Sequence, residues 1–324
     1  MDKEFHFYIT YIVAQKAGFG PEDSYRIAYS SQYTDDNTRK YTINGEQTSE
    51  FETFISQTVD ITHPQEALIR IYPAFHFMPG AGSDLFADSA YRRDGKMHLL
   101  NTIPNGENSR TVLQTALDTG DPFRIGIAAH LYADTFSHQN FLGYKDGFNS
   151  LIPLSPFNIG HAEAFHKPDY VAAVWHDTRL VLSKERVDNK WRFLQAVACL
   201  FRLLKKGSSP TQGEVDTLLN SVSNAIGRRD DGNELSDERI ERYKALIQDF
   251  EDYDKYAWLD QAVAEKAPDP LPTPDYPQPA PTFIWIRGYE SSNWYQFQLA
   301  VKNHQGYVMD QIIKPLFARM EVII

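Results

Sequence analysis

The sequence predicts a mainly α chain folded as one multi-helix domain. Helix start and stop signals recur along it, apolar residues repeat at helical rather than alternating spacing, and few windows read as strands. A length of 324 residues suits one large domain or two small ones, and a 42% apolar share supplies a sizeable core. No internal repeat is found.

Residues 3–17 place apolar positions at helical spacing, and Gly18 and Gly20 can end that helix. Pro21, Glu22 and Asp23 open a second one, with Pro in the first turn and acids near the positive end of the helix dipole. It runs into Gln32-Tyr33-Thr34-Asp35-Asp36. Residues 37–66 are polar, carry the turn signal Asn44-Gly45, and read as a loop or short hairpin. Ala67 to Phe77 reads as a strand or extended segment, and residues 78–110 as irregular chain with room for a short helix. Asp121-Pro122 joins an N-cap to a Pro at the first helical position and starts a helix to about Gln139. Residues 142–168, with several Gly and Pro, read as loop. Pro168-Asp169 signals a helix through about Glu185, and Asn189 to Lys206 is another, stopped by Gly207. Ser209-Pro210-Thr211-Gln212 has capping-box spacing ahead of a helix to about Ile226. Residues 236–266 read as one long amphipathic helix. Seven prolines in the fourteen residues from Pro268 to Pro281 predict a stiff, extended strap. The expected organisation is an α-helical, metal-binding domain over 1–266, a Pro-rich strap over 267–282, and a C-terminal helical segment over 283–324 docking on the same domain.

The formal net charge of −11 argues against a broad basic surface for duplex nucleic acid. It leaves catalysis on a phosphodiester open, because bound cations reverse the local field. Cys199, the single cysteine, lies in an apolar run and reads as a core residue; no disulfide can form within the chain, so nothing points to secretion. The N-terminus lacks an apolar stretch after a basic start, and no run of about 18 apolar residues occurs. A cytoplasmic protein without a signal peptide or membrane span is expected.

The chemistry concentrates in Gly126 to Gln139, where His130, Asp134 and His138 recur at steps of four. Four residues return to within ~40° on a helix, so the three share one face. Small and apolar neighbours, Gly126, Ala128, Ala129, Ala133 and Phe136, turn that face inward. Two imidazoles and a carboxylate on a buried face need a partner. A divalent metal supplies one, and this donor mix suits zinc; a hydrogen-bonded Asp with two half-exposed His is the bland alternative. His6, Asp35, Asp36, His76, His161, Glu163, His166 and Asp169 add further donors, several in apolar or aromatic surroundings. A lone His among aromatics is usually a satisfied core residue. So many together in a helical chain favour a multi-metal site.

The order of these residues resembles the superfamily of zinc-dependent phospholipases C and fungal single-strand nucleases. His6 matches its early His, and Gln32-Tyr33-Thr34-Asp35-Asp36 looks like its Asp element, with Asp35 the better fit. Ala74-Phe75-His76-Phe77 and His130-Leu131-Tyr132-Ala133-Asp134 resemble the next two elements. The likeness covers roughly residues 1–170. It departs from the family pattern where a His is expected six residues after the central Asp: Asn140 stands there, and His138 must substitute by way of a longer helix. Four residues after His161 comes Phe165 instead of an acid, so Glu163, His166 or Asp169 completes that element, with Asp169 favoured. The chain also resembles a bacterial family, without known activity, that carries the same Gln-Tyr-x-Asp-Asp and His-x-Tyr-Ala-Asp-Thr stretches.

The resemblance implies an α-helical fold of the phospholipase C and nuclease type, two or three zinc ions, and hydrolysis of small-molecule or lipid phosphoesters. Iron or manganese could stand in for zinc. The ligands would be His6, Asp35, His76, His130, Asp134, His138, His161 and Asp169. Asp134 would bridge, His130 would act with Asp35 and His76, and His138 with His161 and Asp169. His6 and the N-terminal residues, through the Met1 amine or Asp2, would approach the other oxygen of Asp134. Whichever of Asp35 and Asp36 does not ligate would orient the attacking water or act as base. The alternative is a non-catalytic metal-binding protein of the same fold with a degenerate site, and a third reading is a helical scaffold without metal. Tyr33, Tyr132 and Phe77 are expected to pack in the core before lining a pocket. The His176-Asp177 doublet is expected on an exposed helical face.

Overall fold

The helix that carries the central motif is also the most enclosed element. Asp121 caps it, its carboxylate accepting the Phe123 N–H at 2.9 Å, and Pro122 occupies the first turn. From Ile125 to Ser137 every side chain is buried. Small residues let its neighbours close in. A Cβ on Gly126 would stand 2.6 Å from Ser30 Cβ, so only glycine lets the helix of residues 21–36 pack this closely.

The computed structural model describes residues 1–44, 51–58, 60, 65–82, 84, 91–152, 158–266 and 282–321. A π-helical segment, Glu4–Ile9, continues into α1 (Thr10–Ala17). Helix α2 (Pro21–Asp36) follows, then β1 (Thr42–Asn44), β2 (Phe51–Glu52), α3 (Gln65–Ile69), α4 (Tyr72–Phe75), α5 (Glu107–Thr119) and the central helix α6 (Pro122–Ser137). A hairpin, β3 (Val174–His176) and β4 (Arg186–Asp188), leads into α7 (Asn189–Leu204), α8 (Gln212–Ile226), α9 (Ser236–Lys244) and α10 (Ala257–Ala262). The chain closes with β5 (Val263–Lys266), β6 (Thr282–Trp285), α11 (Asn293–Val308), a π-helical turn Met309–Ile313 and α12 (Lys314–Arg319). The protein is mainly helical and forms a single domain. Helices α2, α5, α7 and α11 pack around α6. Among the described residues no helix is long and apolar enough to cross a membrane.

Several expected elements take another form. Residues 67–77 are two short helices, with Pro73 in the first turn of α4, rather than extended chain. The polar stretch 37–66 holds the hairpin β1–β2, described apart from its turn. Pro168-Asp169 starts no helix, because the Asp169 carboxylate accepts from Ser137 Oγ at 2.9 Å and faces His138 instead of capping a turn. The chain there forms β3–β4, so His176 lies on a strand, while Asp177 is buried in an ion pair with Arg179. Residues 236–266 are broken after α9 by an acidic stretch that folds on itself. Asp249 takes φ +49°, Asp252 accepts from the Tyr253 N–H and Asp254 from the Tyr256 N–H. The capping box ahead of α8 lies two residues later than expected, between Thr211 and Glu214. Strands β2-β1-β6-β5 form one sheet, with β1 parallel to β6 and β5 antiparallel to it, which ties β1 and β2 to the C-terminal segment. Of the expected strap, only Thr282, the first residue of β6, falls within the described residues.

The N-terminal segment is anchored by a buried charge network. Arg239 Nε and Nη2 donate to the two oxygens of Glu4 at 2.8 Å each, and Nη1 donates to Asp230 at 2.7 Å. Arg239 is fully buried and Glu4 nearly so. Charges taken out of water in this way hold only while their partners remain. Replacing Arg239 with Met should therefore cost about 3–5 kcal/mol by stranding Glu4 and Asp230. Urea unfolding should show a lower midpoint with an unchanged slope.

Candidate functional site

Elements distant in sequence converge on the buried face of α6. The π-helical segment supplies His6, the last turn of α2 supplies Asp35, and the residue after α4 supplies His76. Helix α6 supplies His130 and Asp134. It ends at Ser137, so His138 is its C-cap rather than part of a longer helix as expected. The loop after α6 brings His161 and Asp169 to the same place.

Asp134 is the hub. Its Oδ1 lies 2.5 Å from the Met1 amine and 3.1 Å from His6 Nε2. Its Oδ2 lies 3.2 Å from both His76 Nδ1 and His130 Nε2. Asp35 faces His76 Nδ1 at 3.6 Å and His130 Nε2 at 3.7 Å. Asp169 Oδ1 is 3.2 Å from His138 Nε2, and its Oδ2 is 3.5 Å from His161 Nε2. Among the described residues, three groups have ligand-type atoms all within 4.8 Å of one another: His6, His130 and Asp134; Asp35, His76 and His130; His138, His161 and Asp169. Asp35, 25% exposed, and His161, 19%, are the most open side chains of the cluster, so solvent reaches it from their side.

Backbone carbonyls orient the imidazoles. His130 Nδ1 donates to the Ser31 carbonyl at 2.7 Å, and His76 Nε2 to that of Ser56 at 2.9 Å. His138 Nδ1 and His161 Nδ1 donate to the carbonyls of His76 and Phe165, each at 2.8 Å. A carbonyl only accepts, so the ring nitrogen facing it carries the proton and the neutral ring turns a lone pair inward. His130 Nε2 and His76 Nδ1 then point lone pairs at each other across 3.0 Å. His138 Nε2 likewise faces a carboxylate oxygen. Phe77 stacks on the His138 ring at 4.4 Å and holds its plane.

Burial alone would raise the Asp134 carboxyl. His138, the Met1 ammonium, His130 and His6 outweigh it and hold Asp134 well below the usual carboxylate range. Asp169 is likewise held low against burial, by His161, the ammonium and His138. Burial pushes His138 down to about 4 and, with His130 and the ammonium, carries His6 well below its ordinary value. Burial would lower the Met1 amine too, but Asp134, Asp169 and Asp35 raise it to about 11. His76 is raised, Asp134 and Asp35 overcoming its burial, so a proton on His76 can relieve one of the facing pairs. No such proton is available between His138, held neutral, and ionised Asp169.

The structure separates candidates that the sequence left together. Asp36, expected beside Asp35 as a possible base, points away: its carboxylate accepts from Gln32 Nε2 at 3.0 Å and the Tyr253 hydroxyl at 2.7 Å. Glu163 accepts from the N–H groups of Leu151 and Ile152, His166 stacks on Tyr170, and Asp169 is the acid that reaches His161. The Met1 amine enters the cluster, whereas the Asp2 carboxylate accepts from the Glu4 N–H. Tyr33 accepts from Trp294 in the core, and Tyr132 donates to Asn105 on the far side of α6. The carbonyls of Ser31, Ser56 and Phe165 carry no side-chain signature, so no sequence signal could have found them.

No curated protein and no solved structure matches the chain. A family profile covers residues 1–312, and the chain accordingly belongs to that family, the family of unknown function DUF6765.

Proposed function

We propose that the cluster holds divalent cations, zinc first among them, and that the protein hydrolyses phosphoesters with their help. One observation carries the reading: ring nitrogens and carboxylate oxygens face one another at 3.0–3.2 Å while the outer ring nitrogens are committed to carbonyls, and between His138 Nε2 and Asp169 Oδ1 both atoms are acceptors. A cation is the partner that satisfies opposed lone pairs. Tetrahedral zinc with bonds of ~2.0–2.1 Å sets its donor atoms roughly 3.3 Å apart, close to these separations. The carbonyls behind the rings are the outer partners that metal-binding imidazoles ordinarily keep.

The residues divide into three groups around Asp134, whose two oxygens face different sets. His130 acts with Asp35 and His76, His138 acts with His161 and Asp169, and His6 with the Met1 amine approaches the remaining oxygen. Bound divalent cations lower the pKa of a coordinated water and neutralise charge developing on phosphoryl oxygens. Asp35 stands where solvent and substrate enter and is the group to orient the attacking water or take its proton. Phe77 and the carbonyls keep the imidazoles from turning while charge moves. The resemblance to zinc-dependent phospholipases C and nucleases supports the choice of a phosphoester over other esters.

Elemental analysis of protein purified without chelators should find roughly two or three divalent ions per chain. His138→Ala should remove about one of them and Asp134→Ala more than one, since a bridging carboxylate serves more than one ion; equal losses would mean that Asp134 does not bridge.

The metal-loaded protein should turn over bis-p-nitrophenyl phosphate and lose that activity on chelation. Asp35→Asn should lower kcat by roughly 10²–10⁴-fold, the range of general acid–base catalysis, with most metal retained. Full metal content without turnover would establish the non-catalytic alternative.

Exhaustive chelation should also lower unfolding stability by at least about 3 kcal/mol, because buried carboxylates and imidazoles lose the charge that pairs them. An unchanged melting temperature after confirmed metal removal would count against a shared buried site.

A further inference from the structure

Helix α6 has a second face that borders a cleft. Phe136 lies two residues beyond Asp134, roughly 200° around the helix and so turned away from the metal-ligand cluster. It opens on a cleft of about 540 Å³ between α6, α7 and the β3–β4 hairpin, a volume typical of small-molecule sites. Helix α7 lines it with one stripe at helical spacing: Asp188, Trp191, Arg192, Gln195 and Cys199.

The lining is unlike the rest of this acidic chain. Lys184, Arg186 and Arg192 face the cleft. Its two carboxylates are committed elsewhere: Asp177 binds the Arg179 guanidinium at 2.7 Å, and Asp188 caps α7 by accepting the Trp191 N–H. Trp191, 65% exposed, and Tyr91, 38% exposed, are flat apolar walls left open to solvent. Lys184 Nζ sits 4.9 Å from the centre of the Tyr91 ring, so a cation and a stacking surface stand side by side. Asn140, which also lines the cleft, is 2% exposed, and its Oδ1 has no hydrogen-bond partner among the described residues. A buried acceptor without a donor is rare and marks a place that a ligand N–H or O–H can fill.

We propose that this cleft binds a small organic anion carrying a flat aromatic ring. The ring stacks on Trp191 and Tyr91, the anionic group meets Lys184, Arg186 and Arg192, and a donor on the ligand reaches Asn140. A nucleotide and an aromatic carboxylate share this chemistry. The proposal does not depend on the metal reading.

The test uses 8-anilinonaphthalene-1-sulfonate, an aromatic anion, against N-phenyl-1-naphthylamine, which has the same rings without the charge. The sulfonate should bind at least about tenfold more tightly. Trp191→Ala should weaken it about tenfold, the size of a lost stacking contact. The Lys184→Gln, Arg186→Gln double variant should weaken it comparably and flatten its salt dependence. All three positions are exposed, so folding is not at risk. Cys199 is the only cysteine, and saturating probe should slow its alkylation by N-ethylmaleimide; chelation should leave probe binding unchanged. Displacement by adenosine 5′-monophosphate assigns a nucleotide, and displacement by 2-naphthoate a carboxylate. Equal binding of the neutral analogue, variant affinities within about twofold of the parent, unprotected Cys199, or failure of both competitors would each overturn the proposal.

Discussion

Much of this structure answers to one constraint: the Asp134 carboxylate is buried and ionised and must be surrounded by groups that tolerate it. A carboxylate away from water is costly unless every oxygen is matched. Here Oδ1 meets the Met1 ammonium and His6, while Oδ2 faces the inward nitrogens of His76 and His130, of which His76 is the one that can carry a proton. Those partners arrive from the start of the chain, the loop after α4 and α6 itself. The fold has to bring all of them to one point. The glycine contact between α2 and α6 and the Glu4–Arg239 network behind the N-terminal segment both serve that convergence.

The backbone does a second part of the positioning. Segment Glu4–Ile9 is π-helical, a rare geometry that tends to occur at functional sites. It delivers His6 with its ring stacked on His130 at 3.8 Å. Phe165 takes φ +53°, unusual for a bulky residue, with its carbonyl on His161 and its side chain 73% exposed. Strain of this kind persists where the surroundings dictate it. At Phe165 the dictating contact is the hydrogen bond that aims His161 at Asp169. Rigidity here comes from hydrogen bonds to main-chain carbonyls, which cannot rotate away as side-chain acceptors can.

The two faces of α6 differ in kind. One is closed around opposed donor atoms and is most open to solvent beside Asp35 and His161. The other is an open cleft with aromatic walls and cations on its rim. The loop from His138 to Asn140 belongs to both, ending the helix at the cluster and delivering Asn140 to the cleft. The helix end therefore places His138, not residue 140, beside Asp169.

What the sequence determined by itself is what depends on near neighbours. Capped helices declare themselves through Asp121-Pro122, Pro21 and the Gly18 stop, and α1, α2 and α6 fall where those signals put them. The four-residue spacing of His130 and Asp134 put them on one inward face. Distant partners decided the rest. Pro168-Asp169 looked like a helix start until Ser137 and His138 claimed its carboxylate. Strand β1 found β6 across a long sequence gap. Asp35 and Asp36 are adjacent and chemically equal, and only the packing of Gln32 and Tyr253 drew one of them away. Strand pairing, the choice between like side chains and the carbonyls behind each imidazole are set by contacts between residues far apart in the chain, and periodicity and capping carry no information about those.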